Sequence, residues 1–279
     1  MTLLDLAARA RDADGVDPLN EASRLALDAG SAGRVHVAHR DAGHVVAAAY
    51  ADGDAPVELV VDPEHRRRGH GTALVRRLLD DGESRFWAHG DLPGAQALAA
   101  SQGLRAIRTL LVLRLEPSSA PAEPAPPAGI TLRTFRPDDV DAIVRVNGRA
   151  FASHPEQGAM DRADFERRAS SDWFDPAGLF VAERSGEVVG FHWTKVEDGV
   201  GEVYVVGVDP SEQGSGLGTA LTARGLRHLW DAGLHVVDLY VEGDNAPALA
   251  VYTRLGFTEH ARDVLYSTGE RDTPPPRES

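Results

Sequence analysis

The residues of this chain whose types and spacing could do chemistry lie first in a repeated glycine-rich turn. One copy is "VDPSEQGSGLGTAL" at 208–221 and the other is "VDPEHRRRGHGTAL" at 61–74. In each, a strand-like run ends in Val-Asp-Pro, closely spaced glycines follow, and a run with helical spacing comes next. Such a strand–turn–helix aims several backbone N–H groups into one small space, because the first four amides of a helix have no intrahelical partner. The helix dipole adds partial positive charge, so a phosphate or pyrophosphate is the natural occupant. Gly214 and Gly218 would let the backbone approach an anion where a Cβ would stand in the way. Neither copy has the Lys-Ser/Thr of a triphosphate-binding loop. Three strand-like runs precede the second copy in its half, unlike a first-strand dinucleotide fingerprint. A plain glycine-rich surface turn explains one such element more easily than two in matching surroundings.

The elements that would hold these turns fall into two halves. With 279 residues and an internal period near 147 (208 against 61), two domains of ordinary size are expected. Residues 116–129, "EPSSAPAEPAPPAG", carry five prolines and no aromatic residue, which reads as a semi-stiff linker. The expected division is 1–115, linker 116–129, 130–269, and a disordered tail over 270–279 with the sequence "ERDTPPPRES". In the second half, "ITLRTF", "LFVAER", "EVVGFHWTKV" and "GEVYVVGVDP" read as strands. The glycine turn, the amphipathic run "GTALTARGLRHLWDAG", a strand "VVDLYV", a helix from about Ala246 to Leu255 and a hairpin-forming strand "GFTEHARDVLYS" complete it. The first half repeats the later part. Each half is thus expected to be α/β (α+β), a mixed sheet flanked by helices.

Composition removes several classes of function. The chain has no cysteine, which rules out disulfides, thiolate metal sites and a thiol nucleophile. Its 11 histidines show no ligand spacing, so no metal is expected. A formal charge of -14 disfavours a non-specific grip on nucleic acid. No run of 18 apolar residues exists to span a bilayer, and the start "MTLLDLAARARDADG" lacks a signal-peptide core. A cytoplasmic protein with no membrane partner is the expectation.

The stretch Gln213-Gly214-Ser215-Gly216-Leu217-Gly218 resembles the Q/R-x-x-G-x-G/A motif of the GNAT superfamily of acyl-CoA N-acyltransferases. Its counterpart in the first half is Arg66-Arg67-Arg68-Gly69-His70-Gly71. The resemblance implies two tandem GNAT-like domains. It also implies that the loop and helix start, through Thr219 and Thr72, hold the pyrophosphate of acetyl-CoA. The strands before them, Val206, Gly207 and Val208 and also Leu59, Val60 and Val61, would offer backbone groups to the pantetheine arm. "LYVEGDNAPALAVYTRLGF" supplies Asn245, Tyr252, Gly256 and Phe257 in the order the superfamily shows, with Asn245 a further coenzyme contact.

The halves are not equivalent. Laid without a gap within each block, Asn245 faces Leu92, Tyr252 faces Ala99 and Phe257 faces Leu104, while the register of the glycine turns sets Glu202 against Ala55, so the first half keeps the anion loop and loses the polar groups that could move a proton. Acetyl transfer to an amine needs a base to collect the amine proton and is helped by an acid beside the departing sulfur. Glu202 is expected to be that base and Tyr252 that acid. A surface carboxylate and an ordinary core tyrosine are the bland alternatives.

The runs "AFASHPEQG", "GFHWTKV", "GEVYVVGVDP" and "LYVEGDNAPALAVYTRLGF", with "ELVVDPEHRRRGHGTAL" and "FWAHGD" in the first half, together resemble the actinobacterial mycothiol synthase family. That resemblance implies acetyl transfer from acetyl-CoA to the cysteinyl amine of cysteinyl-glucosaminyl-inositol, with catalysis in the second domain. It places acceptor contacts at Glu21, Glu156, Lys195, Glu202, Tyr240 and Tyr252. A polyol and an ammonium want such carboxylates and a lysine as partners, though Lys195 could equally be a solvated strand residue. A covalent tandem supplies the pairing that single-domain relatives obtain by dimerising, so a monomer is expected. Two other readings stand beside this one: an N-acetyltransferase for another small amine or a peptide N-terminus, and an acyl-CoA-binding sensor without catalysis.

Overall fold

The structure is a computed structural model that describes residues 2–28, 30, 33–41, 44–152 and 158–269. The expected tail over 270–279 lies outside them. In chain order the elements begin with α1 (Leu3–Asp14), α2 (Glu21–Asp28), β1 (Arg34–Asp41), β2 (His44–Ala51), β3 (Val57–Val61), α3 (His70–Asp80), β4 (Arg85–Ala88), α4 (Pro93–Ser101) and β5 (Arg105–Leu115). They continue with β6 (Ile130–Thr134), α5 (Val140–Ala150), α6 (Arg162–Ala169), β7 (Leu179–Arg184), β8 (Glu187–Glu197), β9 (Val200–Val208), α7 (Leu217–Asp231), β10 (Val237–Glu242), α8 (Ala246–Arg254) and β11 (Thr258–Ser267). Residues 116–129 form no helix or strand.

Two compact units result, and they are not the two halves of the sequence. Unit 1 takes the chain up to Leu111, with Glu242–Asp244 and the segment from Ala261; unit 2 takes Val112–Val241 and Asn245–His260. The closing strand of each half is therefore divided. The end of β11 pairs antiparallel with β4, from Val264 opposite Ala88 to Ser267 opposite Arg85, instead of forming a hairpin within its own half. In unit 2, Arg114 near the end of β5 makes a two-pronged ion pair with Asp238 of β10, at 2.7 Å on both prongs. An alternating apolar strand can satisfy either edge that offers hydrogen bonds, so the pattern of β11 does not specify its partner.

Within each unit a mixed sheet has helices on both faces. In unit 2 one face packs Phe191 and Trp193 of β8 against Val140, Ile143 and Val146 of α5 and Phe165 of α6. The other packs Phe180 and Ala182 against Leu217 and Leu221 of α7. In unit 1, α3 buries Leu74 and Leu78 on Val57 and Phe86, while α1 lays Leu6 and Ala10 over Val45, Tyr50 and Val60 on the opposite face. The helix start of α1 is fixed locally by a capping box between Thr2 and Asp5 and its end by Gly15 at φ 71°. No described helix is long and apolar enough to cross a membrane.

One contact sets how closely α7 approaches the sheet. A Cβ on Gly225 would lie 2.0 Å from Cε1 of His192 on β8. That histidine is fully buried, with Nδ1 2.7 Å from the Leu221 carbonyl. Burial pushes its pKa down to about 4, so it is neutral and its Nδ1–H donates to that carbonyl. Gly225→Ala is expected to destabilise the protein by about 3 kcal/mol, the upper part of the ordinary overpacking range. Urea unfolding should show a lower midpoint at unchanged slope. An unchanged midpoint would mean that helix and strand can separate without loss.

Candidate active site

The chemistry expected of unit 2 depends on where β9 and β10 part. They run parallel and pair only at Gly201 with Val237 and Glu202 with Asp238. Beyond Glu202 the strands diverge, leaving the backbone of Val203–Val208 facing the gap, while the other edge of β9 stays paired to β8 through Val208. A peptide edge of this kind is satisfied by side chains, by water or by a ligand with hydrogen-bonding groups such as amides. Just past Glu202 the strand carries a bulge: Trp193 opposes Val205 and Thr194 opposes Val203, so Tyr204 is the extra residue. Val206, Gly207 and Val208, the expected pantetheine contacts, lie along the parted stretch.

The glycine turn follows directly. Asp209 accepts a hydrogen bond from the Ser211 N–H at 3.0 Å and starts the short turn Pro210–Glu212. Glu212 pairs with both prongs of Arg184. Gly214 and Gly216 have φ of 78° and 92°, left-handed conformations that cost little only for glycine. Gly216 is the N-cap of α7 and makes no side-chain cap bond. Ser215 Oγ sits 3.3 Å from the Leu217 N–H, so the amides of Gly218 and Thr219 are the donors best placed for an anion. A Cβ on Gly214 or Gly216 would meet nothing within 4 Å, and Gly218 adopts ordinary helical geometry. Backbone conformation, and not crowding by protein atoms, is what requires glycine at 214 and 216. Gln213 and Leu217 flank the turn.

Side chains expected to act on the acceptor gather partly around Glu202. Lys195 on β8 is its direct cross-strand neighbour, the ladder pairing Lys195 with Glu202. The lysine is buried, with Nζ 3.0 Å from Glu197 and 5.3 Å and 5.8 Å from the ring centres of Trp173 and Tyr204. Those aromatic rings hold its ammonium by their negative faces. Arg168 also lies over Tyr204 and donates to its hydroxyl at 2.8 Å. Trp173, Tyr204 and Arg168 were not expected from sequence; only the proximity of aromatic residues to "HWTKV" and "GEVYV" could have pointed to them.

Tyr252 lies on α8, edge-on to Phe257 at 5.9 Å. Burial pushes its hydroxyl up to about 12, so it stays protonated near neutral pH. Asn245 is the N-cap of the same helix, its Oδ1 accepting the Ala248 N–H at 3.2 Å. The carbonyl end is thus committed to the helix and the NH₂ end is what a coenzyme could use. Tyr240 on β10 is half exposed. Glu156 falls outside the described residues. Glu21 is the exposed first residue of α2 and belongs to unit 1.

Unit 1 repeats the turn on a different set of residues. Arg67 and Gly69 have φ of 62° and 86°, the same left-handed pair that Gly214 and Gly216 form in unit 2. Gly69 starts α3 without a side-chain cap. Arg66 is bonded to Asp14 by both prongs at 2.7 and 2.6 Å, and both residues line the cavity beside the turn. A cavity of about 680 Å³ opens beside this turn; Leu59, Val60 and Val61, Arg67, Gly69, His70, Gly71 and Thr72 line it, whereas Arg68 is exposed and does not. Ala99 and Leu104 form part of its wall, where unit 2 has Tyr252 and Phe257.

The matches for Asn245, Tyr252 and Phe257 in the first half stay apolar, and only the match for Glu202 changes, from Ala55 to Pro56. The β2–β3 ladder has no bulge, so the gapless comparison slips by one residue upstream of Tyr204. On β3 stands Glu58, buried, with Oε1 2.6 Å from His89 Nε2. His89 Nδ1 is 2.9 Å from Asp263. Burial alone would lower this imidazole's pKa, but hydrogen bonds to Asp263 and Glu58 outweigh it and lift the value to about 9. Among the described residues no group of three or more His, Asp or Glu could hold a metal ion.

Comparison with known proteins agrees with the fold. The acetyltransferase (GNAT) family profile matches residues 148–257, and a GNAT domain profile matches 31–104. A mycothiol acetyltransferase of Thermomonospora curvata is 52% identical over 98% of this chain and 93% of its own length. One from Actinosynnema mirum is 49% identical over 94% of this chain and 93% of its own. Among solved structures, a GCN5-related N-acetyltransferase from Sphaerobacter thermophilus superposes with a TM-score of 0.72 at 24% identity, covering 95% of this chain and 90% of that one. A tandem GNAT protein from the clavulanic acid biosynthesis pathway gives 0.61 at 23%, covering 84% and 82%. The two solved structures bear on the fold alone.

Proposed function

The chain belongs to the mycothiol acetyltransferase family of tandem GNAT enzymes, and on that premise we propose that unit 2 transfers the acetyl group of acetyl-CoA to the cysteinyl amine of cysteinyl-glucosaminyl-inositol. In unit 1, β3 and β4 part as β9 and β10 do. The observation that carries the assignment to unit 2 is therefore the pair of groups there that can move a proton, Glu202 where the strands part and Tyr252 on α8 where unit 1 has Ala99. The parting of β9 from β10 puts a carboxylate where the gap begins, and the parted strand leads on to the glycine turn and the uncapped start of α7. The coenzyme supplies an activated thioester; the chain's own residues do the rest. Amides at Gly218 and Thr219 receive the pyrophosphate, and the parted edge of β9 from Val203 to Val208 aligns the pantetheine arm. Glu202 attracts the acceptor ammonium and takes its proton, directly or through water. Tyr252, held protonated by burial, donates to the departing sulfur. Lys195, Tyr240, Glu21 and Glu156 are read as acceptor contacts, and the enzyme as acting without a second copy.

The test is a coenzyme-dependent assay of purified protein with cysteinyl-glucosaminyl-inositol, glucosaminyl-inositol and a simple arylamine. The cysteinyl compound should be acetylated at least about 10²-fold faster than either, the discrimination expected when a site built for polar groups meets a ligand lacking them. Equal turnover of all three would remove the acceptor assignment and favour a general amine acetyltransferase. Binding of coenzyme without any turnover would favour the sensor.

A further inference from the structure

Among the charged clusters the mechanism leaves unused is one in unit 1. Glu58 on β3 is 1% exposed, yet its Oε2 has no hydrogen-bond partner and its Oε1 serves two groups, His89 Nε2 and the backbone N–H of Asn20 at 3.0 Å. On the other side of the ring, Asp263 binds His89 Nδ1 at 2.9 Å and accepts the Gly90 N–H at 2.8 Å. Four parts of the chain meet here: the start of α2, β3, the end of β4 and, from β11, a residue 174 positions from His89. Asn20 is itself a helix cap, its Oδ1 accepting the Ser23 N–H at 2.8 Å. Glu21 is the next residue. The helix α2 has no buried residue, and only Ala26 and Leu27 toward its far end pack on the core. Its beginning is held by Leu19, buried in the core just before the cap, and by the cap residue itself, whose backbone N–H is tied to Glu58.

Setting a buried and a partly buried carboxylate around an imidazole is an expensive way to hold a strand together, since apolar residues of similar volume are usually at least as stabilising. What the cluster provides that apolar packing does not is direction: it aims a fixed oxygen at the N–H of Asn20. We propose that Glu58, His89 and Asp263 are positioning residues, a carboxylate–imidazole–carboxylate relay that fixes the capped start of α2 and with it Glu21. This rests on the reading above that Glu21 contacts the acceptor. The relay acts through the backbone and not by contact with the reacting atoms.

The experiment combines amide hydrogen exchange with kinetics on the full chain carrying His89→Gln. Exchange at residues 22–25 should quicken by about tenfold or more, as expected when a local tie is cut, while exchange along α7 stays unchanged. In the same variant KM for the cysteinyl acceptor should rise by about tenfold with kcat and the KM for acetyl-CoA within about twofold, the signature of lost ground-state positioning. Should His89→Gln not fold, Asp263→Asn keeps the shape and weakens only one end of the relay, and a smaller change of the same pattern is expected. Unchanged exchange at the start of α2 in a folded variant overturns the proposal, as does quickened exchange with an unchanged acceptor KM. A wild-type protein that ignores the cysteinyl acceptor while the exchange result stands removes the functional reading and leaves the relay in place.

Discussion

Replacing Glu202 by Gln is expected to lower kcat/KM for the acceptor by about 10²–10⁴-fold, the usual span for a general base. Gln keeps the size and one carbonyl oxygen but loses the charge that attracts an ammonium and the basicity that takes its proton. The position makes a large effect reasonable, because Glu202 is the last residue of β9 paired to β10 before the strands part. The neighbouring Lys195 would then face an uncharged partner across the ladder, so the acceptor would also meet a more positive site. Raising the pH should restore part of the rate, since a larger share of the acceptor amine is already neutral. Steady-state kinetics across pH with wild type and variant is the measurement. A loss below tenfold, with no recovery at high pH, would show that Glu202 is not the base.

Tyr252→Phe should lower kcat by about 10²-fold while coenzyme affinity changes little, the lower part of the range for a general acid. The ring packs edge-on against Phe257, and phenylalanine can keep that contact. Only the hydroxyl goes. Burial raises this hydroxyl to about 12, so the wild-type enzyme should show no pH limb from Tyr252 in the range where the fold is studied, and the variant should differ from it in rate without a change in profile shape. The diagnostic measurement uses an acyl donor whose thiol has a lower pKa. A better leaving group needs less protonation, so the deficit should shrink. An equal fractional loss with both donors, when chemistry limits the rate, would assign Tyr252 to positioning and not to acid catalysis.

What could be read along the chain was whatever a few consecutive residues must satisfy by themselves. The turn that receives the anion is such a feature. Left-handed backbone at Gly214 and Gly216 and an uncapped helix start follow from residue types within one loop, and the first copy reproduces the path even with Arg67 in place of a glycine. The helix starting at Ala246 was legible for the same reason, because Asn245 is a local cap and Pro247 suits a first turn. The loss of Tyr252 at Ala99 was legible because both stand on corresponding short helices after corresponding turns.

Tertiary structure alone decided the features that depend on which edges meet. The bulge at Tyr204 is a mismatch between two strands, visible only when β8 and β9 are laid together, and it defeated the gapless comparison of Glu202 with Ala55. The parting of β9 from β10 is likewise a property of a pair. Alternation states which face of a strand is apolar and says nothing of which strand lies beside it, so the placement of β11 against β4 could not be read from "GFTEHARDVLYS". With that placement Asp263 reaches His89, although 174 residues separate them. Local backbone preference acts over a few residues and is carried by residue type, whereas strand partnership is chosen by the whole set of competing edges. For that reason the chemistry of the turn was written in the sequence, and the company that Glu58, His89 and Glu202 keep was settled only by the fold.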